Sequence, residues 1–327
     1  MDFVYYTTAL YKMQSCIWEE IMIDLSAVIK MKEKLTGNLY LIVAVLIWGS
    51  TFIAQSVGMD SVGPFTFLAL RCALAVVFLL PVIALLEIKD IKNYFRKWQN
   101  RRLWRGGILC GISLFIAAGL QQVGLVDTDA GKAGFLTALY VVLVPVLGIF
   151  LGKKPTANVV ISILLSVAGL YLLSCVGVTS VRTGDLLLLG SALSFAFQIT
   201  FVDRLGNGLD GVRLNCIQCL TCGVLSGVMM LTEEVSVSGI VECTVPLLYA
   251  GVLSSGVAYS LQVLGQQRIE SNSASIIMSL ESVVAVLCGW LILQETMTPW
   301  EISGCLLVFI AVILSQINPK KKQKSSR

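Results

Sequence analysis

The chain has 327 residues, 56% of them hydrophobic and only 13% charged, with a formal charge of +4. A soluble domain carries about a quarter charged residues, so there are too few charges here to coat a water-exposed surface, and much of the outside must face lipid. There are ten cysteines and no histidine, which removes the commonest zinc ligand and the usual neutral-pH proton shuttle. Most cysteines lie in apolar runs and read as small buried hydrophobes. Cys219 and Cys222 form a CxxC with no second pair beside it, so neither a metal nor a cofactor is expected.

In chain order, residues 1–36 read as an N-terminal extension. Its first 30 residues hold no 20-residue apolar run and lack the basic start and cleavage site of a signal peptide. They suggest either a short surface helix or sequence upstream of a true start at Met22 or Met31. Ten apolar runs follow, near 39–57, 64–86, 105–126, 134–151, 158–176, 184–202, 212–231, 245–265, 273–293 and 299–317. About 20 apolar residues cross a bilayer core, and open sheet edges cannot face lipid. The expected fold is therefore all-α: a polytopic membrane protein of ten transmembrane helices.

Lysine and arginine set the orientation. With alternating helices, the basic residues of 1–34, the loop 89–105, Lys153, Lys154, Arg204, Arg213, Arg268 and the tail 318–327 fall on one side. The other side has only Lys132 and Arg182, with Glu233, Glu234 and Glu242 in one of its loops. The positive-inside rule makes the basic side cytoplasmic, with both termini there, and the expected location is the cell membrane. The basic loop, which also holds Tyr94, Trp98 and Trp104, reads as a surface for anionic lipid headgroups rather than for nucleic acid.

The chain also repeats itself. At an offset of 141, Leu120-Gln121 meets Leu261-Gln262, Gly124 meets Gly265, and Leu139-Tyr140 meets Leu280-Glu281. An offset of 143 sets Thr51-Phe52 and Gln55 against Ser194-Phe195 and Gln198. The expected halves are 37–177 and 182–317, with five helices each. An odd number inverts the second half relative to the first, and such inverted repeats underlie alternating access in many secondary transporters.

Trp48-Gly49-Ser50-Thr51-Phe52 resembles the WGSxF signature of the EamA-type transporters of the drug/metabolite transporter superfamily. Arg71-Cys72-Ala73-Leu74-Ala75 resembles their RxxLA segment. The stretch AGFLTALYVVLVP at 133–145 is similar to the end of their first repeat, and Ser279-Leu280-Glu281 followed by Glu295 to the end of the second. The resemblance spans residues 39–316 and implies ten helices, two EamA domains, and export or exchange of metabolites such as amino acids. Two departures stand out: Ser282 follows Glu281 where the family often has proline, and Lys153-Lys154 stand where a glutamate is common.

The candidate site residues are polar groups inside spans. Glu281 lies about 12 Å along helix 9 at 1.5 Å per residue. A carboxylate at such depth costs about 2.5–3.5 kcal/mol on insertion scales and usually faces a cavity or a partner. It suits a group that binds and releases a coupling proton or cation. It also suits a structural carboxylate. Arg71, about 10 Å along helix 2, is placed either to pair with Glu281 in one state or to snorkel to the headgroups. Trp48, Thr51 and Gln55 share one helical face, and Ser191, Ser194 and Gln198 copy that spacing. With Gln121, Gln122, Gln262, Tyr140 and Tyr259 they read as the lining of a central cavity for a small-molecule substrate, or as interhelical hydrogen bonding. Gly111, Gly119, Gly169 and Pro145 are candidate kinks.

A carrier driven by an ion gradient or by exchange is the leading class. No GxxxxGK[ST] supports ATP-driven pumping. A membrane enzyme would lack HExxH, a Ser-His pair and GxSxG, and a channel would lack a recognisable filter sequence.

Overall fold

The computed structural model describes residues 2–88, 91–128, 130–174, 182–292 and 298–317, with side-chain detail from Val28 onward. Every regular element among them is helical. The first span is the end of a long helix, α1 (Asp2–Met59), and α2 (Pro64–Leu86) and the short α3 (Ile91–Trp98) follow. The first half continues through α4 (Arg101–Asp127), the pair α5 (Ala130–Ala138) and α6 (Tyr140–Phe150), and α7 (Ala157–Ser174). The second half has α8 (Thr183–Leu205), α9 (Gly211–Met230), α10 (Val237–Glu242) and α11 (Thr244–Leu248). A π-helix (Tyr249–Ala258), α12 (Tyr259–Gln266), α13 (Ser271–Met278), α14 (Leu280–Ile292) and α15 (Pro299–Gln316) complete it. Nine stretches among the described residues are long and apolar enough to cross a bilayer, and Ala157–Leu173 is a shorter tenth. The chain is an all-α membrane protein of ten spans. Glu295 and the basic tail 318–327 lie outside the described residues.

Three spans differ from the continuous helices expected. Spans 4 and 9 break at Leu139 and Ser279, immediately before Tyr140 and two residues before Glu281. Span 8 is wound partly as a π-helix. Hydropathy averages over about 20 residues and is blind to a one-residue break inside an apolar run.

The inversion is visible where helices touch. A Cβ on Gly124 of α4 would lie 3.0 Å from the carbonyl oxygen of Gly184 and 2.8 Å from Leu188 Cγ, both on α8. A Cβ on Gly265 of α12 would lie 3.0 Å from the carbonyl oxygen of Gly37 and 2.9 Å from Leu41 Cγ, both on α1. Likewise Gly111 of α4 meets the carbonyl of Gln218 and Thr221 Cβ, while Gly251 meets the carbonyl of Arg71 and Leu74 Cβ. These matched contacts relate α1 and α2 to α8 and α9 at 147 residues (184 against 37, 218 against 71), not at 143. A slip of four is about one helical turn, so it leaves the same face forward and is hard to detect by alignment. The packing makes Thr51 the counterpart of Gln198, and Arg71 the counterpart of Gln218.

The π-helix follows from the same register. Gly111 to Gln121 covers ten steps of α4; the matching Gly251 to Gln262 covers eleven. A π turn takes one more residue per hydrogen-bonded ring than an α turn, and so absorbs the extra one. Tyr140 and Glu281, counterparts 141 residues apart, hydrogen-bond to each other, which puts the pseudo-twofold axis between spans 4 and 9. Gly169 of α7 and Gly304 of α15 also meet each other, at backbone distances a Cβ would close to 2.8 and 2.6 Å. Gly111 and Gly169 are therefore places where helices cross closely.

Candidate functional site

At the junction of the halves is a cavity whose lining includes Trp48, Thr51, Gln55, Arg71, Gln121, Tyr140, Tyr259, Gln262 and Glu281. Phe52, Thr137, Phe195, Ile199, Ser254 and Met278 complete the wall. Its volume of about 40 Å³ for the centres of water-sized spheres has room for about three waters. That is too little for a metabolite without movement of the walls.

Nine of the thirteen residues read as site candidates thus line one cavity, and Ser191, Ser194 and Gln122 are not among them. Neither is Gln198. It is fully buried behind the wall, donating from Nε2 to Gln218 Oε1 at 2.9 Å and accepting from Gln262 Nε2 at 3.1 Å. The helical spacing that grouped it with Ser191 and Ser194 was the displaced register, and Ser191 instead donates to the carbonyl of Ala117. Gln122 also points elsewhere, toward Met59 Sδ.

The cavity's two ionisable groups of opposite sign do not pair with each other among the described residues. Arg71, 3% exposed, donates from Nη1 to Gln55 Oε1 at 2.5 Å, and its Nε has no hydrogen-bond partner. It neither pairs with Glu281 nor snorkels to the lipid surface, because α2 presents it inward. Glu281, 7% exposed, accepts from Tyr140 Oη at 3.0 Å. It sits in the first turn of α14, where the positive end of the helix dipole favours a carboxylate. The break before α14 thus creates a local anchor for an acid at mid-span. The Trp48 ring packs on Tyr259 with centroids 4.9 Å apart, and its indole nitrogen also lacks a partner. Gln121 donates to Thr137 Oγ1 at 3.4 Å, and Thr51 Oγ1 donates back to its own helix at the carbonyl of Ile47. A guanidinium cannot lose its charge. With an amide as its hydrogen-bond acceptor and no carboxylate paired to it among the described residues, Arg71 is a ready partner for an anionic ligand group, and unpaired donors remain for other polar groups.

Charges away from the cavity sort by membrane face. On the basic face Arg213, 1% exposed, donates from Nη2 to Glu87 Oε2 at 2.5 Å and from Nη1 to Asp210 at 2.6 Å. Its guanidinium lies 5.3 and 5.4 Å from the ring centroids of Tyr94 and Trp98. Lys97 donates to Glu87 and lies 3.5 Å from Asp210. The hydrogen bond from Arg213 holds the Glu87 carboxyl below its usual range, and the bond to Glu87 raises the Lys97 ammonium. Lys153 meets Asp203 at 2.5 Å. On the other face Glu233 accepts from the backbone N–H groups of Phe65 and Thr66 at 2.9 and 2.8 Å, filling the orphan donors at the start of α2. The two cations expected on that face are both matched: Lys132 by Asp185 at 2.6 Å, and Arg182 by the carbonyl of Asp127 at 2.9 Å. The Arg213 cluster was not expected. Its sequence signal is Asp210, an N-cap residue directly before an apolar run.

A model of the EamA-like transporter family matches residues 35–175 and again 182–316. The chain belongs to that family. Among similar proteins, an uncharacterized transporter of Archaeoglobus fulgidus is 32% identical to this EamA chain over 286 residues, covering 86% of each chain. The threonine/homoserine exporter RhtA of Escherichia coli K12 is 25% identical over 301 residues, 90% of this chain and 96% of the other. A crystal structure superposes with a TM-score of 0.72 at 18% identity, covering 86% of this chain and 96% of the other, which shows that the EamA halves share its fold. The relatives named are transporters, and a small-molecule substrate follows from the family.

Proposed function

We propose that this protein is a secondary active carrier that exports or exchanges small zwitterionic metabolites, amino acids foremost, by alternating access. The observation that carries the reading is the presence of Arg71 and Glu281 on the wall of one cavity, each buried and neither neutralised by the other. An amino acid supplies the two missing partners: a carboxylate for the guanidinium fork and an ammonium for the carboxyl. The exporter RhtA, similar over nine-tenths of this chain, carries compounds of that class. The lysine and arginine bias supports a cytoplasmic basic face with both termini inside, and hence cargo loading from that side.

Glu281 is also the group we assign to coupling. A proton or cation and the cargo ammonium would compete for its carboxyl, so that cargo leaves when the competitor arrives. The residues 37–177 and 182–317 form the two moving halves in this reading. The test is mass spectrometry of the medium from cells expressing wild-type protein and Glu281→Gln at matched levels. An amino acid enriched outside only with wild type supports export through this site. Equal enrichment with both removes Glu281 from the mechanism.

A further inference from the structure

The register of the repeats pairs two sets of side chains that sequence spacing leaves apart. Thr51, Arg71 and Gln121 in the first half correspond to Gln198, Gln218 and Gln262 in the second, through the matched glycine contacts at 147 residues and the repeat at 141. The two sets lie at equal depth from opposite faces. Arg71 is seven residues into α2 from its outer end, and Gln218 seven into α9 from the basic face, each about 10 Å of helix.

Their present states differ. Thr51, Arg71 and Gln121 all line the cavity and bond to three separate partners. Of the second set only Gln262 reaches the cavity wall; it donates to Gln198, and Gln198 donates to Gln218, both shut behind that wall. The chain runs on through Gln218 Nε2 to Asn215 Oδ1 at 3.2 Å. From Asn215 Nδ2 it reaches the carbonyls of Ser255 and Gly256 at 3.0 Å each, in the π-helix. These four amides are at most 2% exposed, and all but Gln262 lie outside the cavity lining. A permanent plug is cheaper to build from apolar side chains, since every buried amide must find partners. Amides suit a surface that is alternately dry and wet, because each bond to another amide can be exchanged for one to water or to cargo.

We propose that Gln198, Gln218 and Gln262 are a second, latent cargo half-site, zipped shut in this state, that opens to the basic face when the two halves exchange conformations. The inference rests on the alternating-access reading above. Inversion requires that the wall formed by Thr51, Arg71 and Gln121 closes as the amide triad opens. The triad carries no charge, whereas its counterpart has Arg71. It therefore receives the polar, uncharged parts of the cargo and holds a carboxylate less firmly than the Arg71 wall does. A cargo arriving from the basic face meets neutral amides first and the guanidinium afterwards.

The test is accessibility of single thiols in oriented membrane vesicles to a membrane-impermeant maleimide, with the wild-type chain as background for its ten native cysteines. Gln198→Cys and Gln218→Cys are expected to react from the basic face, Thr51→Cys from the other, and Gln262→Cys, which lines the cavity in this state, from both. If the basic-face-open state holds about 1–10% of the population, labelling at Gln198→Cys and Gln218→Cys runs about ten- to a hundredfold slower than at Thr51→Cys but reaches completion. A Gln198→Cys/Gln218→Cys pair, joined by copper-phenanthroline oxidation, should abolish labelling of an added Gln262→Cys from the basic face, and reduction should restore it. Thiols at 198 and 218 that are unreactive, or that react only from the face that reaches Thr51→Cys, would overturn the half-site and leave the carrier reading standing. A Thr51→Cys unreactive from both faces would instead overturn the carrier reading, and this inference with it.

Discussion

Placing a methyl group on Gly169 should force α7 and α15 apart. A Cβ there would lie 2.8 Å from the carbonyl oxygen of Gly304, 2.8 Å from Val308 Cγ2 and 2.9 Å from Leu307 Cβ. Ordinary contact begins near 3.4 Å, so the helices must separate by on the order of 0.6 Å and lose dispersion contact along the seam. Overpacking of this kind costs about 1–3 kcal/mol, while glycine to alanine inside a helix gains about 0.8–1.0 kcal/mol. The net expectation for Gly169→Ala is a loss of about 1 kcal/mol, within a range of about 0–2. Gly227 on α9 is the control, because nothing lies within 4 Å of a Cβ there, and Gly227→Ala should stabilise by up to about 1 kcal/mol. Gly304→Ala should behave like Gly169→Ala, since its Cβ would lie 2.6 Å from the Gly169 carbonyl oxygen. The double variant should cost less than the two singles together, because one separation relieves both clashes. Thermal unfolding of the detergent-purified protein measures all four. Equal and stabilising shifts at 169, 227 and 304 would refute the close crossing.

Three further outcomes follow from the site and the basic-face cluster. Tyr140→Phe removes the one hydrogen bond that Glu281 accepts from Tyr140; a bond to a carboxylate is worth about 1.5–3 kcal/mol, so transport should fall about tenfold or more while the expressed amount holds. Unchanged transport would mean that the bond does not orient Glu281. The Glu87 carboxyl is held below its ordinary value, so its contribution to stability is complete above about pH 4.3 and is lost as pH falls through the lowered value. Glu87→Gln should flatten the fall in unfolding temperature over that acid range, and an unchanged slope would assign it to other groups. Arg213→Met removes the buried cation from Glu87 and Asp210, which keep Lys97 and are partly exposed; the loss is that of the charge-assisted hydrogen bonds, about 1.5–3 kcal/mol, read as a drop in folded yield. Wild-type yield would show the cluster to be incidental.

The spans and the inversion were legible because they rest on runs of many residues and on charge bias. The identities of most cavity residues were legible too, since a Glu, an Arg or a Gln inside a span is costly in lipid and tends to face inward. Other features rest on single residues. The breaks at Leu139 and Ser279 come in runs whose composition gives no warning, and the π-helix depends on one extra residue in the second half. Gln198 was misplaced for the same reason: a four-residue slip preserves the helical face, and only the glycine contacts reveal that its counterpart is Thr51. Arg213 was read as a surface charge because hydropathy cannot show that Tyr94, Trp98, Glu87 and Asp210 converge on it from three helices.

The central claim is that Arg71 and Glu281 together hold a zwitterion. Counterflow in proteoliposomes tests it most directly, with unlabelled L-threonine trapped inside and radiolabelled L-threonine, L-homoserine or their decarboxylated amines added outside. The account predicts saturable counterflow of at least one amino acid by the wild type, none of the matching amine, and loss of the difference in Arg71→Gln. Equal counterflow of amine and amino acid by the wild type, or full amino acid counterflow by Arg71→Gln, would contradict it.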